Sequence, residues 1–129
     1  MFVDAIIAII VDEPERSAFE ARLGRADRLY ASPLAVYEAV MGVARVRRLS
    51  IADAQAALDR FVSEAAAELV PITAEIGQTA VQAFERFGRG RHPARLNMGD
   101  CFAYACAKTL AVPLLFKGDD FSQTDVAVA

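Results

Sequence analysis

Polar and apolar positions along this chain fall into short solid apolar runs separated by longer stretches with a helical repeat. MFVD at 1–4 is short and β-prone, and the AIIAIIV that follows is apolar throughout, so periodicity alone does not separate a longer strand from a buried helix. Strand and then helix is the expectation. PERSAFEARLGRA, 14–26, places Phe19 and Leu23 four apart and closes near Gly24, predicting a short amphipathic helix with Pro14 at its first position. RLYAS, 28–32, reads as a second strand. Ser32 and Pro33 form a cap and first-position pair for a helix over 34–48 whose apolar stripe includes Leu34, Tyr37 and Met41. A further capped helix runs from Ser50 to Glu68. LVPI, 69–72, is a third short strand, and Thr73 caps TAEIGQTAVQAFERF with Glu75 in the first turn.

GRGRHPARLNMG, 88–99, is the one irregular and basic stretch, a loop by its three glycines and its proline. A helix opens around Asp100, PLLF at 113–116 is a fourth strand, GDD at 118–120 is a turn, and VAVA at the end reads as an edge strand. Strands alternating with helices imply an α/β fold, a three-layer sandwich with a mainly parallel central sheet flanked by helices. With 129 residues, 55% of them apolar, the expectation is one domain over 1–129.

The net charge of −3 offers no overall field for a polyanion, so any nucleic acid has to be met locally. Cys101 and Cys106 are too few for a disulfide framework and read as small core residues of a reducing compartment. No apolar run approaches the roughly 20 residues that span a bilayer, and no basic n-region precedes the apolar start; a cytoplasmic protein is expected. Several helices look apolar on more than one face, which predicts a homodimer.

The acids change this picture. In a parallel sheet the ligand crevice lies at the carboxyl ends of the strands, and Asp4 ends strand one, Asp119 and Asp120 follow strand four, Asp100 starts a helix, and Glu38 lies within the helix after strand two. Each alone has an ordinary reading: Asp4 and Asp100 as helix caps, Glu38 as half of an ion pair, GDD as solvated surface. Together they would repel one another unless a divalent cation sat among them, and hard oxygen donors suit Mg²⁺ or Mn²⁺. Such a site supports metal-assisted phosphodiester hydrolysis. A small-substrate phosphohydrolase fits less well, because no Asp-x-Asp pair follows the first strand. His92, beside a proline in the basic loop, reads as exposed rather than catalytic. Arg89, Arg91 and Arg95, with His92, could meet RNA phosphates, and Arg45, Arg47 and Arg48 form a second cluster; arginines in loops and at helix C-termini are also ordinary solvated residues.

VD at 3–4, SPLAVYEAV with Glu38, LNMGDCFAYACAK around Asp100 and PLLFKGDDFSQTD together resemble a PIN-domain ribonuclease of the VapC toxin type, in order and spacing over nearly the whole chain. The resemblance implies a type II toxin–antitoxin module and a Mg²⁺-dependent endoribonuclease with Mn²⁺ as a substitute. In it, Asp4 and Asp100 are the principal metal ligands, Glu38 completes the acidic pocket, and Asp120 is the preferred fourth acid with Asp119 as the alternative. It also implies a VapB-like antitoxin that lays a segment across a groove and aims a basic side chain at the acids. One departure is local: relatives carry two more residues after the first Asp, a hydroxyl among them, whereas Asp4 and Ala5 run straight into IIAII. That leaves a second reading, a degenerate PIN fold that captures an antitoxin without cleaving RNA.

Overall fold

The computed structural model describes residues 1–11, 14 and 16–129. Four short strands, β1 (Phe2–Val3), β2 (Tyr30–Ala31), β3 (Glu68–Leu69) and β4 (Leu114–Leu115), form one sheet in the order β3-β2-β1-β4. Every pairing is parallel, with Phe2 opposite Tyr30 and Leu114, and Tyr30 opposite Glu68. Consecutive strand residues point to opposite faces, so this sheet divides two cores. Phe2 and Leu114 pack on one side against α5 (Ala74–Phe87) and α6 (Met98–Leu110). Val3, Ala31 and Leu115 pack on the other against α1 (Ile6–Ile10), α3 (Pro33–Arg47) and α4 (Ile51–Glu64), with Phe19 of α2 (Arg16–Leu23) closing the edge. The result is the three-layer α/β sandwich that the alternating pattern predicts.

The caps follow the sequence. Ser32, Ser50 and Thr73 accept the backbone N–H groups of Ala35, Asp53 and Ile76 at 3.0, 3.1 and 3.2 Å. Helix α1 has no such partner: Ala5 stands at its cap position with no side-chain hydrogen bond. Its far end is tied instead by Arg47, whose guanidinium donates to the Ile10 carbonyl at 3.0 Å.

Four expectations are corrected. Helix α4 stops at Glu64, because Ala66 turns into the left-handed region (φ 51°) and the Glu68 N–H donates to the Leu29 carbonyl at 2.9 Å. Strand β3 therefore starts one residue early, and only Leu69 of LVPI belongs to it. On α3 the buried face runs through Ala35, Ala39 and Val43, while Tyr37 is 61% exposed. The terminal VAVA makes a single parallel bridge, Val128 to Leu114, not a strand. Pro14 lies in a turn, and the helix is described from Arg16; whether it starts at Pro14 falls outside the described residues. No helix among those residues is long and apolar enough to cross a membrane.

Candidate active site

Asp4 emerges where β1 ends. Its N–H still donates to the Leu115 carbonyl at 2.9 Å, so the ladder fixes its backbone before the chain turns into α1. Glu38 comes from the second turn of α3. Asp100 comes from the first turn of α6, but not as the cap: Asn97 holds that position, its Oδ1 accepting the Asp100 N–H at 2.9 Å while Asp100 Oδ2 accepts the Asn97 N–H at 3.0 Å. This reciprocal pair satisfies two orphan donors and fixes the Asp100 side chain at the helix entrance.

Asp4, Glu38 and Asp100 line one cavity of about 140 Å³ at the carboxyl edge of the sheet, together with Ile7, Ala35, Ala39 and Gly99. Small residues make the room. At Gly99 a Cβ would run into the carboxylate of Glu38, so any larger residue there has to push that carboxylate aside. Larger open clefts of about 630 and 600 Å³ lie elsewhere, without such a meeting of carboxylates.

All three carboxyls are raised, burial being the first cause in each. Burial, then the charges of Asp100 and Glu38, push the Asp4 carboxyl up to about 7. Burial and the Asp100 charge raise Glu38. Asp100 is raised chiefly by burial and further by Asp120, against the opposing pull of the Asn97 N–H and the Arg89 guanidinium. Asp120 opens a 3₁₀ turn, Asp120–Gln123, whose Phe121 is buried and meets the Phe116 ring at a tilt, centroids 5.0 Å apart; the Asp120 charge reaches Asp100 from an exposed position. Asp119 is exposed, and it is not among the charges acting on Asp100.

Among the described residues no three carboxylate, imidazole or thiolate groups already close around one ion-sized point. The donor set nonetheless suits a hard divalent cation: three carboxylates raised by burial and by neighbouring acids, with Arg89 the one cation acting against that rise at Asp100. Cys101 and Cys106 are free and buried with thiols pushed up to about 11, which makes them core residues, not ligands.

The basic loop borders this site. Its neck is closed by the bridge between Gly88 and Leu96, and Arg89, Arg91 and Arg95 are exposed on it. His92 is not the exposed residue that its loop position suggests: it is partly buried, its Nδ1 accepts the Ala94 N–H at 3.0 Å, and its ring meets Phe87 edge-on at 5.2 Å. In the second arginine cluster, Arg47 is engaged with α1 and Arg48 forms the left-handed cap of α3.

Sequence reasoning missed Asn97, Gly99 and Asp125. The first was open to it, since Asn followed three residues later by an acid is a capping-box signature. The second needs the approach of two helices to be seen. Asp125 accepts the buried Tyr104 hydroxyl and meets Lys108 and Arg86 at 3.4 and 3.7 Å, fastening the tail to α6; a contact across 21 residues leaves no local signal.

The PIN domain family model matches residues 1–127. A VapC ribonuclease of Rhizobium meliloti is 41% identical, with 97% of this chain and 98% of that protein aligned. The chain belongs to the PIN-domain family, in its VapC-type branch. Ribonuclease VapC30 of Mycobacterium tuberculosis is 39% identical over 95% of this chain and 92% of its own length. Among solved structures, M. tuberculosis VapC20, described as a toxin that cleaves the sarcin–ricin loop, superposes with a TM-score of 0.76 at 15% identity over 99% of this chain and 97% of its own. A toxin–antitoxin complex from Klebsiella pneumoniae superposes at 0.69 and 17% identity, covering 99% and 95%. At such low identity these two structures speak for the PIN fold alone.

Proposed function

We propose that this VapC-type PIN domain is the toxin of a toxin–antitoxin pair, an endoribonuclease that hydrolyses RNA phosphodiester bonds at the cavity formed by Asp4, Glu38 and Asp100. One observation carries the reading: three carboxylates from three separate elements line one small cavity at the carboxyl edge of a parallel sheet, and each is raised by burial and by a neighbouring acid. Asp4 and Asp100 are the ligands for Mg²⁺, with Mn²⁺ as its substitute. The cation, when bound, supplies charge stabilisation for the attacking and leaving oxygens of the phosphodiester. Glu38 completes the acidic pocket and holds or takes a proton from the attacking water. Asp120, whose charge reaches Asp100, is the fourth acid in preference to Asp119. Arg89, Arg91 and Arg95 hold flanking phosphates, which lets an acidic chain bind RNA locally.

The short turn after Asp4 leaves α1 without a side-chain cap but keeps Asp4 in the cavity lining, so the degenerate binding module gains no support from it. A VapB-like antitoxin fits the groove of about 630 Å³ between α1, α2 and α4, where the partly exposed Ile10, Leu23 and Phe61 offer apolar anchors; α1 borders both this groove and the acids. The exposed Val81, Phe84 and Met98 between α5 and α6 are the face proposed for a homodimer, and an unchanged sedimentation coefficient for Phe84→Glu would remove it from that role. Two free thiols suit a reducing, cytoplasmic setting.

The deciding experiment compares wild type with Asp100→Asn for RNA cleavage in Mg²⁺ and for growth arrest on expression alone. Asparagine keeps the acceptor for the Asn97 N–H and removes the charge. Cleavage is expected to fall at least a hundredfold in a folded variant; undiminished cleavage sinks the assignment.

A further inference from the structure

The sheet has a second end. Opposite the carboxylates, where the strands begin, an open cleft of about 600 Å³ has Arg22, Arg25 and Arg28 on its wall and Tyr30, Val112 and Pro113 on its floor. All three arginines are exposed. Arg28 is already engaged, bonded to the Tyr30 side chain with Glu68 in electrostatic range. Arg22 and Arg25 have no carboxylate partner among the described residues. Asp27 is the one acidic side chain in the lining.

The carboxyl end of α2 favours a cation at position 22, which accounts for Arg22 alone; Arg25 and Arg28 lie beyond the helix. In a chain of net charge −3, three arginines around one cleft are a local reversal of sign. Parallel sheets place chemistry at the other edge, so this cleft is suited to binding and not to catalysis.

We propose that this cleft is a second contact for RNA, remote from the cut, in which Arg22 and Arg25 take phosphates of a single-stranded segment and a base lies against Tyr30 and Pro113. The inference rests on the reading of RNA as the substrate. Guanidinium groups beside an aromatic and apolar floor match the two halves of a nucleotide. An acidic peptide would satisfy the arginines and leave that floor uncovered.

The test is anisotropy binding of a fluorescent 20-nucleotide oligouridine in EDTA, across a salt series, for wild type, Arg22→Ala/Arg25→Ala and Arg22→Lys/Arg25→Lys. With two fewer phosphates neutralised, the slope of log K against log salt should become shallower by about 1.4 in the alanine variant, and hold in the lysine variant. Melting temperature should stay the same, as should cleavage of a dinucleotide in Mg²⁺, whose single phosphodiester is taken up at the cut itself. A wild-type slope in the alanine variant overturns the proposal. So does displacement of the RNA by a glutamate-rich 20-residue peptide whose own binding disappears with the two arginines, which would make the cleft a peptide site. If wild type itself binds no RNA and cleaves none, the substrate reading has failed, a result distinct from equal binding by wild type and variant.

Discussion

The carboxyl of Asp4 ties stability to pH with a definite sign. It titrates near 3.8 in the unfolded chain and at about 7 in the folded protein, so between those values the native state binds the extra proton. Stability from this group is therefore full below the unfolded value and is lost as pH rises through about 7, a change on the order of a few kcal/mol. Glu38 and Asp100, also raised, act in the same direction. Asp125, lowered by its Tyr104 bond, acts oppositely, but only where acid protonates it. In chelator the melting temperature should fall from pH 5 to pH 8, and Asp4→Asn should flatten that fall; a flat profile for wild type would mean that the acids do not share one buried field. At this scale the residue types were legible in the sequence because carboxylates at strand ends are conspicuous. Their surroundings were not: Leu34 and Met41, four before and three after Glu38, mark an inward face for it, but the side chains that share its cavity are the small Ala35 and Ala39, which carry little apolar signal.

Among the elements, the entrance of α6 carries the most consequence for the site. Asn97 and Asp100 exchange hydrogen bonds, so the residue that starts the helix also orients a carboxylate of the cavity. Asn97→Ala should cost about 1 kcal/mol of stability, the usual loss of a cap. It should also lower cleavage by more than that loss of folded protein explains, since Asp100 gains rotamers that face away from the cavity. Asn97→Ser, which restores an acceptor for the N–H of residue 100, should recover most of both in thermal melts and cleavage assays; equal cleavage by all three would separate the cap from the site. Helix positions were readable in advance because their signals are local, a Ser or Thr followed by a periodic apolar face. Strand extents were not. Ala65 to Ala67 continue a helical composition, and only the pairing of Glu68 and Val70 with the Leu29 and Ala31 backbone, across more than thirty residues, ends α4 and begins β3.

Taken as a whole molecule, the fold holds three acids in a small space against their mutual repulsion, and a cation that binds only the folded state must relieve that cost. The order α/β was visible from alternation alone, but the division into two cores, with Phe2 facing one and Val3 the other, is what brings α3 and α6 against the same end of β1. Mn²⁺ or Mg²⁺ at about 100 times its dissociation constant should add roughly 2.7 kcal/mol, a clear rise in melting temperature over the chelated protein. Asp100→Asn should differ in two ways. Without metal it should melt within a degree or two of wild type or above it, because relief of repulsion offsets the weaker interaction of a neutral side chain with the N-terminus of α6. With metal it should gain far less. The comparison belongs at pH 8, where deprotonated acids bind the cation without competition, and at constant ionic strength, so that general screening affects both proteins alike. Equal gains by wild type and variant would place the cation elsewhere on the surface. No gain by either would mean that the carboxylates hold no cation even at pH 8, above the value of about 7 at which Asp4 gives up its proton, and would remove the metal site from this cavity.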